Sequence, residues 1–103
     1  MFLFDDDTNW HWDAVKNDLN RQKQGFGFET AELVFDDPLS WTQRDPYPRE
    51  MRWQTIGMIN NMFVVVVHTS PEVDPVSGEM TGRIISARQA TRKERTQYEQ
   101  ESY

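Results

Sequence analysis

The stretch Arg52-Trp53-Gln54-Thr55-Ile56-Gly57-Met58-Ile59-Asn60-Asn61-Met62-Phe63-Val64-Val65-Val66-Val67-His68-Thr69 decides the fold. Two segments rich in β-branched and aromatic residues flank Asn60-Asn61, and Asn tolerates the positive φ of a tight turn. The stretch therefore predicts a hairpin of Arg52 to Ile59 and Met62 to Thr69. Phe63 to Val67 is apolar on both faces, which predicts a central strand covered on both sides. A two-residue turn pairs Ile59 with Met62 and Trp53 with His68. Side chains alternate along a strand, so Trp53 and His68 share one face and Arg52 takes the other. Arg52 and His68 then meet only at the strand ends or across a bulge.

Downstream, Ser70 to Glu79 carries two Pro, one Gly and three acids and reads as a loop. Thr81 to Ala87 supplies another strand. Thr91 with Glu94 makes a capping box that opens a last helix. That helix has Tyr98 and Tyr103 as its large side chains.

Upstream, Leu39 to Gln43 is a short strand ended by Asp45-Pro46-Tyr47-Pro48. Asp13 caps a first helix that Gly25 closes, with Trp12, Val15 and Leu19 on one face as core and Lys16, Asn20 and Lys23 on a polar edge. A second helix over about Glu29 to Phe35 stops at Asp36-Asp37-Pro38. Residues 1 to 12 show no period, and Asp5 to Asp7 read as a solvated acidic run.

The prediction is an α+β domain over 1–103, with two N-terminal helices, an antiparallel sheet of about four strands and a C-terminal helix. Its expected core is Trp12, Leu19, Phe35, Ile56, Phe63, Val65, Val67 and Ile84.

Composition narrows the chemistry. The 103 residues contain no Cys, which excludes disulfides, cysteine zinc sites and thiol catalysis. The longest apolar run, Met62 to Val67, is far short of the roughly 20 residues of a membrane span. Met1-Phe2-Leu3-Phe4 leads straight into three Asp, unlike a secretory leader, so a cytoplasmic setting is expected. There is no Gly-rich phosphate loop. His11 and His68 fall in different elements and make no metal motif, so neither cofactor nor metal is expected.

The net charge of −6 hides an asymmetry. Met1 to Asp45 holds ten acids and four bases, whereas Met80 to Tyr98 holds five bases and one acid. Arg83 opens the last strand and Arg88 closes it. Arg92 and Lys93 sit in the first turn of the final helix, where cations oppose the helix dipole at about 0.3–1 kcal/mol each. A bound phosphate reverses that penalty. The competing reading is a solvated basic face. His68, at a strand end near Arg, suits proton transfer near neutral pH, or else a structural hydrogen bond to backbone.

Several stretches resemble the BrnT family of type II toxins, ribonucleases of the RelE-like superfamily paired with a BrnA antitoxin. They are Trp12-Asp13 with Lys16, Asn20 and Lys23-Gln24-Gly25; Phe28-Glu29, Ala31 and Val34-Phe35-Asp36-Asp37-Pro38; Arg52-Trp53 and Ile56-Gly57; and Val66-Val67-His68-Thr69. The most specific is Arg83-Ile84-Ile85-Ser86-Ala87-Arg88 with Ala90-Thr91, Glu94 and Tyr98. The family usually has His at Gln24 and Ser at Gly27, so no catalytic role carries over to Gln24.

The resemblance implies metal-independent RNA cleavage, in which a 2′-OH attacks the adjacent phosphate and basic side chains steady the transition state. It points to Arg52, Arg83 and Arg88 as phosphate ligands and His68 as the proton-transfer group, with Glu50 as an alternative. Lys23, Arg92 and Lys93 become substrate contacts. The implied partners are RNA and a BrnA-like antitoxin that masks the basic surface and carries any DNA contact. A catalytically weak interaction module of the same fold is the competing reading, and a DNA-binding regulator the third.

Overall fold

A computed structural model describes residues 8–101, so the Asp5 to Asp7 run and Tyr103 lie outside the described residues. The order is β1 (Asn9–His11), α1 (Ala14–Gln24), α2 (Phe28–Ala31) continuing as a 3-10 segment (Glu32–Asp36), β2 (Trp41–Arg44), β3 (Trp53–Ile59), β4 (Met62–His68), β5 (Glu72–Val73), β6 (Met80–Gln89) and α3 (Arg92–Glu101). The strands form one sheet in the order β1-β6-β4-β3-β2, with β5 also on β6. The class is α+β.

The hairpin has the expected register, Ile59 opposite Met62 and Trp53 opposite His68, with Asn60 at φ 55°. The local helix signals also hold. Asp13 accepts from the Lys16 N–H at 3.0 Å, and Gly25 ends α1 at φ 86°. Thr91 and Glu94 cap each other reciprocally, at 2.9 and 3.2 Å.

Other details differ from expectation. The second helix is a single α-turn that tightens into the 3-10 segment. Val34 lies so close over Gly57 that a Cβ there would come within 2.9 Å of its Cγ1, which lets this segment press flat on the hairpin. The sheet is mixed, because β1 joins β6 in parallel while the other ladders are antiparallel.

The first helix inverts its expected faces. Val15 and Leu19 are 67% and 57% exposed, while Asn17 is buried. The cause is the sheet edge. β1 covers β6 only over Thr81 to Arg83, so the outward N–H groups of Ala87 and Gln89 need other acceptors. Asn20 Oδ1 and Gln24 Oε1 provide them, at 3.3 and 3.4 Å. Asn17 Oδ1 accepts the buried Phe28 N–H at 2.7 Å. The polar stripe thus substitutes for a neighbouring strand, and the apolar stripe turns outward.

The main core joins Phe28, Ala31, Val34 and Phe35 to Val64, Val66, Ile84 and Ala87, with Trp12 and Met62 packed on it half-buried. On the other face, α3 lays Tyr98 against Ile56, Val65 and Phe63. Of the expected core, Phe35, Ile56, Val65 and Ile84 are buried; Trp12, Phe63 and Val67 are half-buried and Leu19 is exposed. Each large apolar side chain fully buried contributes about 1.5–3 kcal/mol.

His68 belongs to this core and not to a surface site. It is fully buried, edge-on to Trp10 and Phe35 with ring centroids 5.1 and 5.0 Å away. Its Nδ1 lies 2.9 Å from the Thr69 carbonyl, which can only accept, so Nδ1 carries the proton. Nε2 then accepts from the Thr55 hydroxyl at 2.6 Å, and Thr55 in turn accepts from Thr42 at 2.9 Å. Burial lowers the ring's pKa to about 4, against a weaker opposing effect of the Thr69 hydrogen bond. Both nitrogens are engaged and the ring is shielded, an arrangement that suits a structural role better than the expected proton transfer.

The unfolded chain binds a proton at His68 below its ordinary pKa of 6.5, whereas the folded chain does so only near 4. Stability from this group is full above the first value and falls as pH drops toward the second, by up to about 1.4 kcal/mol per pH unit. Urea unfolding of wild type and His68→Gln across this range should show that component in the wild type alone. Parallel curves would disprove it.

Candidate active site

Arg83 and Arg88 are an odd number of residues apart, so a regular strand would place them on opposite faces. β6 runs unbroken past Arg88 to Gln89, beyond the expected end at Ala87. Parity is restored inside the strand. Val67 pairs with Ser86 but His68 pairs with Ile84, so Ile85 is an extra residue in the ladder. Ile84 and Ala87 are then both buried against the helices, and Arg83 and Arg88 both project from the opposite face.

Arg83 and Arg52 converge on one carboxylate. Arg83 Nη2 donates to both Glu50 oxygens, at 2.9 and 3.0 Å, and Arg52 Nε donates to Oε1 at 2.9 Å. The Arg52 guanidinium also stacks 3.8 Å above the Tyr47 ring. The hydrogen bond from Arg52, then that from Arg83, holds the Glu50 carboxyl below its ordinary pKa. Glu50 therefore stays ionised and is a poor base.

Glu50 and Arg83 border an open concavity of about 760 Å³ whose walls also include His11, Asp13, Thr69, Ser70 and Glu72; Arg52 stands behind Glu50, outside the lining. His11 is the residue that sequence reasoning missed. It is exposed and stands directly beside Arg83 in the parallel β1–β6 ladder. A three-residue strand has no readable period, and its partner lies at the far end of the chain, so no local signal marked it. Among the described residues, no group of three or more His, Cys, Asp or Glu is placed to hold a metal ion.

Arg88 does not line the concavity. It makes a bidentate pair with Glu94 at 2.7 and 2.8 Å. Arg88 holds the Glu94 carboxyl at a pKa of about 2, helped by the Thr91 N–H. Glu94 thus places an acid in the first turn of α3 beside the exposed Arg92 and Lys93, offsetting their conflict with the helix dipole. Lys23 is exposed in the last turn of α1, the helix flanking the sheet edge. Neither it, Arg92 nor Lys93 borders the concavity. The structure brings together Arg52, Glu50 and Arg83 and adds His11.

Replacing Glu94 by Gln should cost roughly 1–2 kcal/mol at neutral pH, the scale of hydrogen bonds to charged groups. The folded pKa is depressed, so this contribution is present above the ordinary 4.5 and is lost as pH falls through about 2. In denaturant titrations the gap between wild type and variant should narrow from pH 5 to pH 3. A gap that stays constant would refute the linkage.

Comparison with known proteins supplies a family. No significant relative was found among curated proteins. A family profile described as "Ribonuclease toxin, BrnT, of type II toxin-antitoxin system" matches residues 12–94. That span holds the paired arginines, the capping box and the hairpin. The chain belongs to the BrnT family of ribonuclease toxins of type II toxin–antitoxin systems.

Proposed function

We propose that the concavity beside His11 and Arg83 cleaves RNA without a metal, and that this arrests growth until a BrnA-like antitoxin binds. The observation that carries this reading is the convergence of two guanidiniums on the Glu50 carboxylate. A carboxylate and a phosphate offer Arg similar oxygen pairs, so a site that clamps one suits the other.

In the proposed step, the scissile phosphate displaces Glu50 from Arg83 and Arg52. The 2′-oxygen attacks phosphorus while His11 accepts its proton. The bond to the 5′-oxygen breaks, and that oxygen takes a proton from solvent. The products are a 2′,3′-cyclic phosphate and a 5′-hydroxyl. Arg83 and Arg52 balance the charge that builds on the phosphoryl oxygens. Glu50 is a positioning residue that holds the two cations apart and aligned in the free protein. Arg92 and Lys93 offer contacts to the RNA backbone, and Arg88 anchors the start of α3. The toxin acts in the cytoplasm, with DNA contacted through the antitoxin.

A second reading has one observation in its favour. Glu50 already occupies both cations, which suits a binding module whose catalytic power is small.

Both readings meet the same test. Arg83→Ala should lower kcat for RNA cleavage by about 10²–10³-fold, the usual cost of one transition-state donor. His11→Ala should cost about 10²-fold. Cleavage should persist in EDTA. Induction of wild type, but not of Arg83→Ala, should arrest growth. Absence of cleavage by the wild type would favour the binding module, and loss of cleavage in EDTA would overturn metal independence.

A further inference from the structure

A groove of about 530 Å³ runs between the 3-10 segment, the tip of the β3–β4 hairpin and α3. Its apolar walls include Leu33, Leu39 and Met58, which are 48%, 48% and 37% exposed, with Phe63 beneath. The groove is firmly built. Asp37 accepts from the Met58 N–H at 2.8 Å, from the Tyr98 hydroxyl at 2.7 Å and from the Leu39 N–H at 2.9 Å, tying all three walls together. Its charge has one sign: Asp36, Asp37 and Glu99 line it, with no Lys or Arg among the lining residues. Glu32, one turn before Asp36, has its pKa raised by burial and then by the Asp36 charge. A cation near the groove floor is Arg95, whose guanidinium stacks 5.3 Å from the Phe63 ring centroid.

We propose that this groove docks a cationic amphipathic helix of the neutralising antitoxin, apolar side chains facing Leu33, Leu39 and Met58 and Lys or Arg facing Asp36 and Glu99. The chemistry of the occupant follows from the groove: apolar walls require apolar side chains at helical spacing, and an acidic rim selects flanking cations. That the antitoxin carries the segment rests on the toxin reading above. The groove lies at the Ile59 end of β3 and the concavity at the Trp53 end, roughly 20 Å apart at the rise of a strand. Anchoring of the partner is therefore physically separate from occupation of the Arg52–Arg83 site.

The test uses a labelled helical peptide with Leu at i, i+3, i+7 and i+10 and flanking Lys, beside a twin in which Glu replaces Lys. Wild-type protein should bind the Lys peptide at least tenfold tighter than its twin at low salt. Asp36→Lys with Glu99→Lys should reverse that preference, and Leu33→Ser should weaken the Lys peptide about tenfold. Thermal melts check that both variants fold, and both should keep wild-type RNA cleavage. Equal binding of the two peptides, or no effect of the variants, would overturn the proposal. So would a wild-type dimer that Leu33→Ser dissociates, since the groove would then serve a second copy. Because the peptide readout does not depend on cleavage, an inactive wild type would defeat the toxin reading and leave the docking result intact.

Discussion

The extra residue at Ile85 is the constraint on which both faces of the sheet depend. The segment from Arg83 to Arg88 must bury Ile84 and Ala87 against the helices, three positions apart, which no regular strand can do. The register shift beside His68 absorbs the mismatch. It also marks where β6 changes partners. Up to Arg83, β6 pairs with β1 and β5; from Ile84 onward it pairs with β4, and beyond the shift α1 side chains cap its free edge. Without the shift, either Ala87 would leave the core or Arg83 would enter it. The same irregularity that permits the core also aims Arg83 toward the concavity.

The cations are held more than they are stabilising. Arg83 and Glu50 have side chains 49% and 36% exposed, and exposed ion pairs contribute about 0–1 kcal/mol. Stability comes from the two apolar clusters and the satisfied polar groups between helix and sheet edge. Holding Arg52 and Arg83 on one carboxylate does something else. It limits their rotamers before an anion arrives, so less conformational entropy remains to be lost on binding. In a protein of net charge −6, long-range attraction to RNA is absent. Affinity for a phosphate must then come from close, prearranged contacts of this kind.

What could be read from the sequence was local. The Asn60-Asn61 turn, the Asp13 and Thr91 caps, the Gly25 terminus and the valine-rich central strand each announce themselves within a few residues. What could not be read depended on distant partners. Val15 and Leu19 look like a core stripe until the uncapped N–H groups of Ala87 and Gln89 demand Asn20 and Gln24 instead. His68 and His11 exchange expected roles for the same reason. His68 ends a visible strand near Arg, yet its face is set by pairing with Trp53, and that face is buried. The alternation along the hairpin had already set Arg52 and His68 on opposite faces. His11 becomes interesting only once β1 is laid beside Arg83.

The β3–β4 ladder ends in two different charge settings. At one end Arg52 and Arg83 are held by Glu50, with Asp13 and Glu72 also bordering the concavity; at the other, Asp36, Asp37 and Glu99 line the groove. The separation of the two ends, roughly 20 Å, is about twice the screening length at physiological salt. Each end therefore presents its own field to an approaching ligand, with little cancellation from the other. An RNA phosphate proposed at the arginine end and a cationic segment proposed at the carboxylate end would not need to displace one another to bind. A partner held at the acidic end silences the arginine end only if more of its chain reaches along the sheet. Affinity and inhibition are then set by different residues, and substitutions can change one without the other.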